Sequence, residues 1–392
     1  MKKLLFLLCC LGVLITMAAC KKEDKAMSEV ENQKAAVNAS EETPEVAADE
    51  KETASPAEAD TAENGTAAAG TAADEKGSEA VVTEATVEED NTIEESFTST
   101  ALASAKDGSS PTKEIKIYLP PSYYSSQKRY PAVYFFHGFG DTMTFIAARK
   151  FFFNQFMTQT GNQEFIVVEV DGSRADTSQG SFWVNSPVTG MWEDYVIDEI
   201  IPHIDATYHT IAKAESRGIA GYSMGGYASL NLAMRHPDVF SSVLALCPGV
   251  LKKGSLQMAM DSWRGDNTFL TCYGQTFAPN ESKENMCDIP TMDGTPEDNE
   301  IIAKWETGFS DWNEKLDAYL AKDQPLKAID VISGTADYYK WIPEGCTDLS
   351  ELMDEKGIDH TLTELNIGHT FPSGYEKDYF VPFFSKNLVF EE

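Results

Sequence analysis

Residues 218–226 read Gly218-Ile219-Ala220-Gly221-Tyr222-Ser223-Met224-Gly225-Gly226, and the reading of the fold starts from them. The pattern G-x-S-x-G follows a short apolar run, 218–221, and precedes 227–236, whose apolar residues recur at helical spacing. A serine between a strand and a helix, with glycine two residues away on either side, marks a sharp and strained turn. The glycines let helix and strand approach without a Cβ clash, and the turn lifts the serine hydroxyl clear of the sheet edge. The same turn leaves the backbone N–H of Met224 at a helix start, free to face a developing oxyanion.

Outward from this turn, strand-like and helix-like segments alternate. Strands are expected over 114–119, 131–136, 165–170, 243–246, 328–333 and 361–367, and helical stretches over 192–207, 300–322, 349–356 and 375–389. The run Pro131-Ala132-Val133-Tyr134-Phe135-Phe136 is apolar throughout, which suits a strand covered on both faces. Strands separated by helices imply βαβ units, a mostly parallel central sheet and flanking helices, the α/β class. Residues 249–299 break the rhythm and are expected to form an insertion near the site.

A serine hydroxyl needs a base to remove its proton. The chain has six histidines. His203 and His209 fall in or just after a helix, His236 ends one, and His360 begins a strand. His369 follows the last expected strand, in Asn366-Ile367-Gly368-His369. In the α/β-hydrolase fold the order along the chain is serine, acid, histidine, which selects His369. The acid should follow a strand between the two. Asp337, beyond the turn Gly334-Thr335-Ala336, is the choice over Asp330 and Asp348. His137-Gly138-Phe139-Gly140 follows an early strand at the place of the second oxyanion donor, the N–H of Phe139. His137 then holds the loop and is not the base. Trp183, in Ser181-Phe182-Trp183-Val184-Asn185, is a candidate substrate-binding residue, whereas Trp192 reads as core.

The start of the chain differs in kind. Met1-Lys2-Lys3, an apolar run and Met17-Ala18-Ala19-Cys20 read as a secretory signal ending in a lipobox, with Cys20 the acylated residue. Residues 21–95 carry 22 acidic against 6 basic residues and almost no large apolar ones, so a disordered tether is expected. The division is therefore 1–19 signal peptide, 20–95 lipidated cysteine and acidic linker, 96–392 catalytic domain. The expected location is outside the cytoplasm, anchored to the envelope membrane through Cys20. The net charge of −32 argues against nucleic-acid partners. The pairing among Cys247, Cys272, Cys287 and Cys346 is open: Cys272 and Cys287 lie in one loop-rich stretch and could be bridged, with buried free thiols the alternative. No ligand spacing for a metal appears, and no cofactor is expected.

Ile117-Tyr118-Leu119-Pro120-Pro121-Ser122-Tyr123, Tyr130-Pro131, His137-Gly138-Phe139-Gly140 and Gly221-Tyr222-Ser223-Met224-Gly225-Gly226 together resemble the "Putative esterase" family of α/β-hydrolases. That family groups esterase D (S-formylglutathione hydrolase), feruloyl and acetyl-xylan esterases, and mycolyltransferases. The resemblance covers about 110–390 and places Asp337 and His369 where the family's acid and histidine fall. It implies ester hydrolysis through an acyl-enzyme, with feruloyl or acetyl esters of carbohydrate as substrates. Acyl transfer to a sugar hydroxyl is the nearest alternative. A non-catalytic binding protein on the same scaffold is a more distant one.

Overall fold

The structure is a computed structural model; it describes residues 81–87, 91–176 and 178–391. The signal segment, Cys20 and most of the expected linker lie outside the described residues. Eleven strands occur in chain order: β1 Val81–Val87, β2 Thr92–Thr98, β3 Thr112–Tyr118, β4 Ala132–Phe136, β5 Ile166–Val170, β6 Asn185–Ser186, β7 Gly190–Met191, β8 Arg217–Tyr222, β9 Ser242–Leu246, β10 Ala328–Gly334 and β11 Thr361–Leu365. Nine of them make one sheet in the order β1-β2-β3-β5-β4-β8-β9-β10-β11. From β5 to β11 every pairing is parallel, and β1, β2 and β3 add antiparallel strands at one edge.

The apolar run around β4 behaves as its composition requires. All five residues are buried. Tyr134 and Phe136 face one layer, with Ile219, Val243 and Tyr227. Val133 and Phe135 face the other, with Phe145, Phe153, Phe380 and Phe384. Helix α1, Phe145–Met157, belongs to the second layer. Helix α2 spans 192–207, with a π-helical turn at Tyr195–Ile200; its Trp192 is fully buried, as expected.

Two expectations are corrected. The boundary expected at residue 96 falls inside β2, because 81–87 and 92–98 pair with each other and with β3. The acidic composition concealed an edge strand and the strand beside it, where charge on the solvent side is ordinary. Glu95 is nonetheless buried. Its carboxylate accepts from Tyr208 Oη and is 2.7 Å from His203 Nε2. The single helical stretch expected over 300–322 is broken. Pro296–Glu306 and Trp312–Leu320 are separate helices, joined through Asp311 at φ 54°.

The insertion also has its own structure. Helices α4, Leu256–Trp263, and α5, Asn267–Phe277, stand after β9. Asp266 caps α5 by accepting from the Phe269 N–H at 3.0 Å. Cys247, Cys272, Cys287 and Cys346 are all free and buried, so the bridge considered for Cys272 and Cys287 is not formed. Among the described residues no helix is long and apolar enough to cross a membrane.

Candidate active site

β8 ends at Tyr222 and helix α3, Met224–Arg235, begins two residues later. Ser223 alone makes the turn, at φ 56° and ψ −114°, a strained conformation for a residue with a side chain. Neighbouring backbone holds it there. Its N–H donates to Leu246 O at 2.9 Å, and its carbonyl accepts from the Gly249 and Tyr227 N–H groups. The flanking glycines are required by contact: a Cβ on Gly221 would lie 2.1 Å from Gly225 O, and one on Gly225 2.1 Å from Phe136 O.

His369 follows β11 and Asp337 follows β10, as the strand pattern anticipated. Ser223 Oγ lies 2.9 Å from His369 Nε2, and His369 Nδ1 lies 2.6 Å from Asp337 Oδ2. Asp337 is fully buried, and its other carboxylate oxygen accepts from the Tyr339 N–H at 2.8 Å. A carboxylate on Nδ1 fixes the proton there, which leaves the Nε2 lone pair facing the serine hydroxyl. Tyr222, a variable position of the motif, donates its hydroxyl to His369 O at 2.7 Å and ties the histidine loop to the serine turn. Nothing in the sequence marked that role.

The loop at 137–141 closes the other side. His137 is buried; its Nδ1 donates to Gly138 O at 2.8 Å, and its Nε2 accepts from the Gly172 N–H at 3.0 Å. It holds the loop, as expected, and does not reach the serine. Asp141 Oδ2 accepts from the Gly138 N–H at 3.1 Å. Phe139 and Met224 both border the cleft above Ser223. The Met224 N–H, at the first position of α3, has no partner within its helix.

The cleft has a volume of ≈ 310 Å³. Its walls are aromatic, and they come from places the sequence did not join: Trp263 and Phe269 from the insertion, Tyr338, Tyr339 and Trp341 from the segment after Asp337. Asp141 and Asp266 are its acidic groups, and among the described residues no Lys or Arg lines it.

Trp183 is not part of it, which corrects the expectation of a substrate contact. The residue is fully buried, and its ring packs 4.6 Å from Phe136 and 5.2 Å from His137. A Cβ on Gly172 would lie 2.2 Å from that ring, so Gly172 makes room for it. Other candidates are engaged elsewhere: His360 with Ser350, His236 with Glu193, His203 with Glu95, and Asp348 with Lys252. Among the described residues, one group of side chains could enclose a cation: Cys247, Asp337 and His369, with atoms within 4.8 Å of one another. It is poorly suited to one. Burial, with Asp337 adjacent, pushes the Cys247 thiol up to about 12, and His369 and Asp337 already engage their facing atoms with each other and with Ser223.

A mostly parallel sheet, a serine on a strained strand–helix turn and a histidine–aspartate pair behind it define an α/β-hydrolase. The chain belongs to the "Putative esterase" family, which matches residues 110–343; Ser223 and Asp337 lie within the match and His369 beyond it. An esterase of Mycobacterium tuberculosis is 32% identical over 133 residues, 33% of this chain and 27% of that protein. An endo-1,4-beta-xylanase/feruloyl esterase of Xylanibacter ruminicola is 31% identical over 131 residues, 32% of this chain and 18% of that protein. The chain thus spans about a quarter or less of the length of these curated relatives. Among solved structures, a ferulic acid esterase is similar at a TM-score of 0.53 and 20% identity, over 76% of this chain and 98% of that one. A fluorophosphonate-binding serine hydrolase of Staphylococcus aureus is similar at 0.51 and 14% identity, over 75% and 96%. These two likenesses are likenesses of fold.

Proposed function

We propose that the protein is a serine carboxylic-ester hydrolase that works through an acyl-enzyme. The observation that carries the reading is the unbroken line Ser223–His369–Asp337, at 2.9 Å and 2.6 Å, at an aromatic cleft. Ser223 Oγ attacks the ester carbonyl while His369 Nε2 takes its proton. Asp337 holds the imidazole and stabilises its charged form. The N–H groups of Phe139 and Met224 receive the oxyanion. The tetrahedral intermediate collapses as His369 returns the proton to the leaving alkoxide oxygen, and the alcohol departs. Water then attacks the acyl-enzyme, with His369 again as base, releasing the acid and restoring Ser223. None of these steps draws on a metal or cofactor.

The xylanase/feruloyl esterase relative and the family resemblance favour feruloyl or acetyl esters of carbohydrate as the substrate class. Residues 1–20 support an exported protein anchored to the envelope membrane through Cys20. The test is direct. A serine-directed fluorophosphonate should label the parent at Ser223 and block hydrolysis of aryl acetates and methyl ferulate, and Ser223→Ala should be neither labelled nor active. Undiminished turnover by Ser223→Ala of every ester the parent cleaves would remove the reading.

A further inference from the structure

The cleft is sided. Its wall is a run of rings in contact: Tyr339 to Trp341 at 5.8 Å, Trp341 to Trp263 at 5.4 Å, Trp263 to Phe269 at 4.7 Å and Phe269 to Phe139 at 4.8 Å. One end of this run is the oxyanion loop. The other end is the histidine, with Tyr339 at 5.4 Å and Tyr338 at 5.8 Å from the His369 ring. The two ends differ in exposure. Trp263, Phe269 and Trp341 are buried among other apolar residues, whereas Tyr338 is 67% exposed. Its ring packs against that of Tyr339, with centroids 4.1 Å apart.

Chemistry assigns the ends. The proton on His369 Nε2 goes to the oxygen of the departing alcohol, so the alcohol must lie on the histidine side of the scissile carbon. The oxyanion lies toward Phe139 and Met224, and the acyl chain takes the remaining space of the cleft, along the wall that Phe269 and Trp263 form together. We infer that Tyr338 is the platform for the alcohol half of the ester, and that this half carries a neutral ring stacked on the tyrosine face. The ring follows from an exposed yet positioned aromatic surface, which favours flat partners and sugar C–H faces. Neutrality follows from the lining: Asp141 and Asp266 are present and, among the described residues, no Lys or Arg lines the cleft, while Lys340 beside the platform donates its Nζ to Asp337 O at 2.6 Å, so an anionic alcohol meets like charge. The inference rests on the proposed hydrolase reading.

The experiment compares, for one acyl group, the methyl ester with a pentose ester and a phenyl ester. The quantity read is kcat/KM for each ring ester divided by that for the methyl ester, in the parent, Tyr338→Ala and Tyr338→Phe. Comparing variant with parent cancels the intrinsic reactivity of each alcohol. Tyr338→Ala should lower the pentose ratio by about 5- to 20-fold, through KM, with the methyl ester losing less. Tyr338→Phe should retain most of it, because the ring and not the hydroxyl does the stacking. Phe269→Ala should change acyl preference and leave the ratio where it is. A fall in the phenyl ratio alone would assign the platform to aromatic alcohols instead of sugars. Equal losses on ring and methyl esters, no loss on any, or a loss in Tyr338→Phe as large as in Tyr338→Ala would each overturn the assignment. Methyl-ester turnover by the parent shows that the hydrolase reading stands when the platform fails; a parent that cleaves no ester overturns both.

Discussion

Ser223, His369 and Asp337 come from three separate segments yet form one continuous line of hydrogen bonds. Groups arranged this way act as a unit, so their removal is not additive. Ser223→Ala and His369→Ala should each lower kcat by about 10⁴- to 10⁶-fold, and the double variant by little more. Asp337→Asn should cost somewhat less, because the amide can hold the ring but favours the wrong tautomer. Single-turnover kinetics on an aryl acetate measure all four. Multiplicative losses in the double variant would mean that serine and histidine act independently.

Among the elements, the decisive contact is between α3 and β4. The close approach is set by Gly225, whose α-carbon faces the carbonyls of Phe136 and His137. That contact brings the start of α3, with the Met224 N–H, beside the loop that carries Phe139. Gly225→Ala places a methyl group 2.1 Å from Phe136 O, and backbone cannot give way as a side-chain tip can. The variant should lose about 1–3 kcal/mol or more and most of its esterase activity, since the helix and the loop that carries Phe139 must part. Thermal melts beside ester turnover test this; an unchanged Tm would mean the helix has room to shift. The helices of the insertion act differently. They add wall, not machinery, by presenting Trp263 and Phe269 to the cleft.

For the molecule as a whole, the added edge of the sheet carries a pH-sensitive contact. Glu95 on β2 is buried, which by itself would raise its carboxyl. The hydrogen bonds from His203 and Tyr208 outweigh that and hold it below the ordinary glutamate range. A depressed folded value stabilises the fold above the unfolded value, about 4.5, and the contribution is lost as pH falls through the folded one. The parent should therefore exceed Glu95→Gln in urea midpoint at pH 7, and the gap should narrow steadily below about pH 4.5. A gap that stays constant to pH 3 would show that the charge of Glu95 does not couple β2 to the helix at 192–207. The same contact explains why a chain cut at residue 96 would lose β1, most of β2 and this anchor together.

The amino-acid sequence by itself determined the parallel sheet, the serine turn and the order serine, acid, histidine. Each of these rests on local physics: an apolar run long enough for one strand, glycines where a turn leaves no space for a Cβ, a loop that must follow a strand. Asp337 and His369 were legible because they stand just beyond such strands. Only the tertiary structure decided what depends on partners far along the chain. Trp183 looks like a binding aromatic until Phe136 and His137 cover it. β2 looks like acidic tether until His203 and Tyr208, 108 and 113 residues away, compensate Glu95. The aromatic wall joins the Phe139 loop, the insertion and the segment after Asp337, whose rings meet only when the sheet has brought its strand ends together. Burial and contact are properties of that assembly, and no periodicity within one segment encodes them.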